Sequence, residues 1–197
     1  MEYHDIIITG GAGFVGSTLA LRLKQTYPFA RVRSVDNLSR KGSELNLSRL
    51  EKEGVEFVHG DVRYASTFEV LGTADLVLGC AAEPSVMAGT GGSPLYAIET
   101  NLWGTVNALE FVRTRKARLV FLSSSRMYPI EELNAIETRE SDTRFVIAPQ
   151  QIVAGVSERG INEQFPLGDQ RTLYGATKLA SKTEISLILE ELGGADA

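Results

Sequence analysis

Continuous hydrophobic runs alternate along the chain with longer segments in which hydrophobic residues recur every three or four positions. Continuous runs are typical of strands that helices cover on both faces, whereas the wider spacing is typical of amphipathic helices. The pattern predicts five parallel strands, within 6–8, 32–35, 55–59, 76–80 and 119–122. It indicates an α/β fold: a Rossmann-type, doubly wound parallel sheet in three α/β/α layers.

Helices are predicted after the first strand and near the end of the chain. The first helix carries a hydrophobic stripe and ends at Pro28; its stripe is formed by Val15, Leu19 and Leu23. The last helix runs over 174–190, and Gly193 and Gly194 end it.

A long helix is also predicted over 98–112. Its apolar stripe, which we expect to face the core, is formed by Ile98, Leu102, Val106, Leu109 and Val112. Asn101 and Asn107 are placed on the opposite face of this helix.

The segment 129–172 lacks a regular hydrophobic period and carries three prolines. We interpret it as a long connection over one edge of the sheet, next to the active site, because connections of this length in compact domains are usually functional or disordered. The whole chain, 1–197, is otherwise predicted to form one domain.

Composition excludes several classes of partner. The net charge of −5, with no long run of Lys or Arg, predicts neither nucleic acid nor an anionic membrane as a ligand. A single cysteine, Cys80, excludes an internal disulfide, favours a buried structural thiol and fits a reducing cytoplasm. No membrane span, signal peptide or metal site is expected.

A glycine-rich turn between the first strand and the first helix is the strongest chemical signal. Gly10 permits a tight turn, Gly13 lets backbone N–H groups approach a pyrophosphate, and Gly16 lets the helix pack closely on the strand. The helix N-terminus then faces the negative charge. A glycine-rich turn that binds nothing is the alternative.

Acidic residues come directly after the second and third predicted strands. Asp36 can accept both ribose hydroxyls of an adenosine, which favours NAD over NADP, although Arg33, Arg40 and Lys41 lie nearby in the sequence. Asp61 lies where an adenine can be contacted. The alternatives are a helix-capping role for Asp36 and an ordinary Gly-Asp turn at Asp61.

Tyr174 and Lys178 are four residues apart, on one face of the last helix. A serine run, 123–125, comes after the fifth strand at the sheet edge where such folds bind ligands. A lysine beside a tyrosine stabilises phenolate, so the tyrosine can exchange a proton with a sugar hydroxyl. The alternative is a capping serine cluster and a solvated Tyr/Lys pair.

Together these motifs resemble the extended short-chain dehydrogenase/reductases. The resemblance extends nearly to Ser181, and segments 42–47, 54–63, 81–86 and 173–181 are most similar to the CDP-paratose 2-epimerase-like branch. It implies Ser124, Tyr174 and Lys178 as catalytic residues. It also implies a bound NAD contacted by the glycine motif and by Phe14, Val15, Asp36, Asn37, Asp61, Val62, Ala81, Ala82, Asn101, Tyr174 and Lys178.

The resemblance implies a nucleotide-sugar substrate, with a CDP-sugar favoured, and a homodimer. Two departures are visible: 182–197 no longer resembles the family, and Met127-Tyr128-Pro129 replaces the usual Val-Tyr-Gly. Members of the family continue into a C-terminal substrate lobe, so we expect this chain to lack it and to be inactive alone.

The predicted activity of the complete protein is epimerisation, by transient oxidation of a sugar carbon and hydride return. A 4-epimerase, a 4,6-dehydratase or a reductase would use the same residues, because the substrate pose selects the outcome. A non-catalytic NAD-binding module is the competing class.

Overall fold

Three isoleucines in succession, Ile6 to Ile8, form the centre of a five-stranded parallel sheet. The computed structural model describes residues 2–89 and 91–193. The strands are β1 (Asp5–Thr9), β2 (Arg31–Asp36), β3 (Glu56–His59), β4 (Leu76–Gly79) and β5 (Arg118–Phe121), in the order β3-β2-β1-β4-β5. The prediction of five parallel strands is confirmed.

Helices cover both faces of this sheet. Ile6 and Ile8 pack with residues of the first two helices, whereas Ile7 packs with the third and fifth, because successive side chains of a strand point to opposite faces. The helices are α1 (Phe14–Thr26), α2 (Leu47–Lys52), α3 (Ala65–Leu71), α4 (Leu95–Ile98), α5 (Gly104–Arg115), α6 (Ile130–Asn134) and α7 (Leu173–Gly193). The three-layer Rossmann-type arrangement is confirmed.

A π-helical turn, Glu99–Trp103, joins α4 to α5 and corrects the predicted stripe. Leu109 and Val112 are buried as predicted, but Ile98, Leu102 and Val106 are only half-buried. Asn101, which we placed on the outer face, is instead buried. A π turn holds an extra residue, so a stripe projected at 3.6 residues per turn loses its phase across it.

The segment 129–172 contains more regular structure than the sequence indicated. It carries α6 and two antiparallel hairpins, β6 (Thr138–Glu140) with β7 (Phe145–Ile147) and β8 (Val156–Ser157) with β9 (Gly160–Ile161). The Tyr128 and Phe165 rings meet edge to face, with centroids 5.1 Å apart, and Phe165 is buried. This aromatic contact anchors the segment to Tyr128, the residue that precedes it.

The last predicted helix is confirmed as α7, which packs against α5; Gly194 lies outside the described residues. Among the described strands β5 pairs only with β4, so it forms one edge of the sheet. Val120 is 52% exposed there, and an open cavity of about 840 Å³ surrounds the strand, lined by residues from both of its faces. No helix in the described ranges is long and apolar enough to cross a bilayer.

Arg33, on β2, is a charged residue that is almost fully buried. Its guanidinium forms a 2.6 Å ion pair with Asp5 and donates to the carbonyl oxygens of Leu71 and Thr73. Burial of a guanidinium is tolerable because these acceptors satisfy it. Arg33 thus joins β2 to β1 and to the end of α3 with the loop that follows it.

Candidate cofactor and active site

The glycine turn after β1 is packed so closely that side chains are excluded. Gly10 has φ of 64°, and a Cβ there would lie 2.7 Å from the backbone nitrogen of Ala81. A Cβ on Gly16 would overlap the carbonyl of Gly10. Asn46 donates to the carbonyl oxygen of Ala12 at 2.8 Å, which holds the turn from the other side.

A pocket of about 110 Å³ lies beside this turn, at the carboxyl ends of β1, β2 and β4. It brings together seven of the predicted cofactor residues, namely Gly10, Gly13, Asp36, Asn37, Val62, Ala81 and Ala82. It is also lined by residues that sequence reasoning did not assign, among them Ser39, Ser43, Tyr96 and Thr100. Phe14 and Val15 lie exposed in the first turn of α1.

Asp36 is fixed at the end of β2 by backbone donors. One carboxylate oxygen accepts from Ala12 N at 3.1 Å and the other from Leu38 N at 2.8 Å. Leu38 has φ of 54°, a left-handed conformation that leucine seldom adopts, and the bond to Asp36 helps to hold it. The carboxylate is thus preset against the glycine turn, where a ribose diol would meet it.

Asp61 is held ionised beside the same pocket. It accepts hydrogen bonds from Asn37 at 2.9 Å and from the guanidinium of Arg63, with a closest approach of 2.7 Å. Burial alone would raise the pKa of Asp61, but the hydrogen bonds from Arg63 and Asn37 outweigh it and lower that pKa. Asp61 therefore presents a fixed carboxylate next to Asn37, which lines the pocket.

The three predicted catalytic residues lie on elements that meet after β5. Ser124 caps a 3-10 turn, Ser125–Met127, and accepts from Arg126 N at 3.1 Å. A Cβ on Gly175 would overlap the carbonyl of Arg126, so the start of α7, with Tyr174, packs directly on this turn. Lys178, one turn later, donates to the carbonyl oxygen of Leu122 at 3.0 Å.

Lys178 is almost fully buried, at 2% exposure, and this burial lowers its pKa to about 8; Cys80 opposes the shift. Cys80 itself is half-buried and lines the cofactor pocket. Burial raises the pKa of its thiol to about 11, so the thiol is protonated and unreactive at neutral pH. Lys178, in contrast, with its pKa of about 8, is still mostly protonated at pH 7.

Asn101 links the cofactor edge to α7. Its side chain accepts from Glu83 N at 2.7 Å and donates to Glu83 O and to the Thr177 hydroxyl, both at 3.1 Å. Ser181 donates to the carbonyl oxygen of Asn101 at 3.0 Å. Asn101 thus braces the loop after β4 against α7 and does not line the pocket. The sequence signal for this structural role was a pair of hydroxyl residues four positions apart on α7, Thr177 and Ser181, which both contact Asn101.

The residues around the pocket fit a dinucleotide in their chemistry. Gly10 and Gly13 line the pocket without side chains, so a ligand could approach their backbone, and the Asp36 carboxylate is fixed beside them where a ribose diol could bind. The hydroxyl oxygen of Thr100 lines the pocket and is buried without a partner in the described part of the chain, so a ligand there would satisfy it. Residues 2–89 and 91–193 contain no cluster of three His, Cys, Asp or Glu side chains suited to a metal ion.

Comparison with known proteins agrees with this geometry. The NAD dependent epimerase/dehydratase family profile matches residues 6–191. CDP-paratose 2-epimerase of Salmonella typhi is 32% identical over 186 residues, 89% of this chain and 50% of that protein. A dTDP-glucose 4,6-dehydratase of Mycobacterium tuberculosis is 30% identical over 130 residues, 66% of this chain and 39% of that protein.

Solved structures show the same fold at lower identity. UDP-glucose 4-epimerase of Bifidobacterium longum, in complex with NAD⁺ and UDP, superposes with a TM-score of 0.68 at 24% identity. The UDP-Glc/GlcNAc 4-epimerase of Campylobacter jejuni gives 0.71 at 23% identity. The match covers 98% and 95% of this chain but 50% of each of those chains, so this chain spans about half the length of its relatives.

Proposed function

The chain belongs to the NAD dependent epimerase/dehydratase family, and from that premise we propose that it is the cofactor-binding part of a nucleotide-sugar epimerase of the CDP-paratose 2-epimerase type. The observation that carries this proposal is the pocket in which the glycine turn, Asp36 and the loop after β4 converge. The Tyr174-x-x-x-Lys178 helix is joined to the end of β5 by Lys178 and to Asn101 by Thr177. We also propose a cytoplasmic location, since the family chemistry needs no oxidising compartment.

The residues that would hold NAD are those that the pocket brings together. The N-terminus of α1, which follows Gly13, would face a pyrophosphate, and Asp36 would accept the adenosine ribose hydroxyls. Asp61 and Val62 lie at the adenine end. When bound, NAD supplies an acceptor and a donor of hydride for a sugar carbon.

The chain's own residues supply the proton chemistry. Tyr174 accepts the proton of the sugar hydroxyl, and the Lys178 ammonium favours the phenolate that does so. The Ser124 hydroxyl holds the same substrate oxygen. Burial lowers the pKa of Lys178 to about 8, so the side chain is still mostly protonated at neutral pH and keeps the positive charge that this role requires.

Two other functions have specific support. A 4,6-dehydratase is favoured by the Mycobacterium tuberculosis relative, which matches residues of the same cofactor-binding half. A binding module without turnover is the other alternative, because the pocket at the glycine turn could hold NAD without a substrate site. Both would retain the same NAD pocket, and they differ in the residues that would complete a substrate site.

The test is conversion of CDP-paratose to CDP-tyvelose, measured by chromatography. We expect no turnover from residues 1–197 alone, because holding the sugar carbon in place supplies about 7–11 kcal/mol of barrier lowering and these residues match only 50% of the Salmonella typhi protein. The same residues fused to the C-terminal half of a family member should turn over, and Tyr174→Phe in that fusion should abolish it. Comparable rates with and without the added half would show that 129–172 suffices as a substrate site.

We further propose that the protein forms a homodimer through α4, α5 and α7. Three large hydrophobic side chains stay exposed on these helices and on the π turn between them, namely Leu95, Trp103 and Leu187. Exposed apolar groups gathered on neighbouring helices are typical of a protein interface.

A further inference from the structure

Two cavities beside the glycine turn share one wall. The inner cavity, about 110 Å³, is the cofactor pocket, and the outer one, about 730 Å³, opens towards Lys41 and Pro84. Three residues line both cavities, namely Ser39, Arg40 and Tyr96. The hydroxyls of Ser39 and Tyr96 are 2.9 Å apart, and this hydrogen bond closes the wall.

Each side of this bridge is held by its own contacts. The guanidinium carbon of Arg63 lies 4.9 Å from the centroid of the Tyr96 ring, and Arg63 is itself paired with Asp61 and Glu99. Ser39 N donates to the side chain of Asn37 at 3.0 Å, so the loop after β2 presents the serine in a fixed position. Residues 57 positions apart are thus preset to meet across the pocket.

The closed bridge leaves too little room for the ligand. Pockets for small molecules and cofactors measure roughly 300–1,000 Å³, well above the 110 Å³ of the inner cavity. Parting Ser39 from Tyr96 would join the inner cavity to the outer one. We propose that the Ser39–Tyr96 hydrogen bond is a latch over the adenosine end of the cofactor site, which opens to admit or release the dinucleotide and otherwise stays closed.

This inference rests on the proposed function, and it bears on which reaction the site serves. An epimerase or dehydratase restores its cofactor in every turnover, so it has no need to exchange it. A simple reductase must release the spent cofactor each time. A latch that slows exchange in both directions therefore suits a reaction with internal hydride return.

The test is a pair of single substitutions measured by stopped-flow NADH fluorescence. Tyr96→Phe removes the bridging hydroxyl but keeps the ring on Arg63, and Ser39→Ala removes the other partner. We expect each to raise both the association and the dissociation rate constant about five- to tenfold, the size of one lost hydrogen bond, while Kd changes less than about twofold. The double variant should be no faster than either single one.

Tyr64→Phe is the matched control. Its ring flanks the same guanidinium, with the Arg63 carbon 5.5 Å from the centroid, but it is not part of the bridge, so its rates should equal those of the parent chain. Faster dissociation alone, with a matching loss of affinity, would make Tyr96 a ligand contact and overturn the latch. Unchanged rates in a chain that binds NADH would overturn it too, whereas a folded parent chain that binds no NADH would overturn the cofactor assignment itself.

Discussion

The Nζ of Lys178 lies 3.0 Å from the carbonyl oxygen of Leu122, the last residue before the serine run. The same ammonium is 4.4 Å from the centroid of the Phe121 ring. The lysine of α7 is therefore tied to the end of β5, and the two parts of the candidate catalytic group are joined through this contact. Because burial of Lys178 lowers its pKa, we expect the stability of the protein to depend on pH.

Lys178→Met should remove a pH dependence of stability between pH 7 and 9. The pKa of Lys178 falls to about 8 on burial, so below pH 8 both folded and unfolded states are protonated and the cost of burying the charge is complete. Above pH 8 the folded state loses the proton while the unfolded state keeps it, so the parent chain gains about 1 kcal/mol of unfolding free energy by pH 9. Urea unfolding at both pH values measures the gain.

Lys182→Met is the control for that experiment, since Lys182 is exposed one turn further along α7. It should keep the parent's gain between pH 7 and 9. A Lys178→Met chain that gains stability as much as the parent would show that solvent reaches the ammonium.

Asp36 should set the choice between cofactors. Calorimetry should show tighter binding of NAD than of NADP to the parent chain, because a fixed carboxylate repels a 2′-phosphate. Asp36→Asn should lose most of this preference by weakening NAD and no longer repelling NADP. Asp142→Asn, in the exposed β6–β7 turn, should leave it intact. Equal or tighter NADP binding by the parent would contradict the role given to Asp36.

Two arginines of β2 offer a comparison of buried and exposed ion pairs. Asp5→Asn should lower the unfolding free energy by about 2–3 kcal/mol, because it leaves the buried guanidinium of Arg33 without its counter-charge. Glu56→Gln removes the partner of Arg31, a 2.9 Å pair that is roughly half exposed, and should cost less than about 1 kcal/mol. Equal losses in urea titrations would mean that the Arg33 pair is effectively solvated.

Trp103→Glu should separate the proposed dimer into monomers. Trp103 is 57% exposed on the π turn, and a charge at the centre of an apolar contact is costly. Phe29→Glu tests for a general effect of surface charge, since Phe29 is 96% exposed between α1 and β2. Multi-angle light scattering distinguishes dimer from monomer. A parent chain that is already monomeric at tens of micromolar would contradict the proposed dimer.

Local signals predicted the strands and the glycine turn. Ile6 to Ile8 form a continuous apolar run typical of a fully covered strand, and the glycines begin after Thr9, the last residue of that strand. The placement of Asn101 was wrong because a single π turn shifts the helical phase, which a regular projection does not register. The Ser39–Tyr96 contact joins residues far apart in sequence, neither of which belongs to a motif.

The hairpins of 129–172 escaped prediction for a different reason. Strands of two or three residues are too short to show an alternating pattern, so their pairing rests on turns such as the one at Gly160, which has φ of 127°.

We expect the open side of β5 to determine how long the protein stays free of aggregates in solution. Among the described strands β5 has a neighbour on one side only, and its other side, between apolar residues of both sheet faces, forms a template onto which an extended strand can add. Aggregation by strand addition requires two molecules to meet, so its rate increases with protein concentration even where each molecule is well folded. We therefore expect the protein to remain free of aggregates longer in dilute solution. Val120→Lys should slow aggregation at this edge without altering the cofactor pocket, which Val120 does not line.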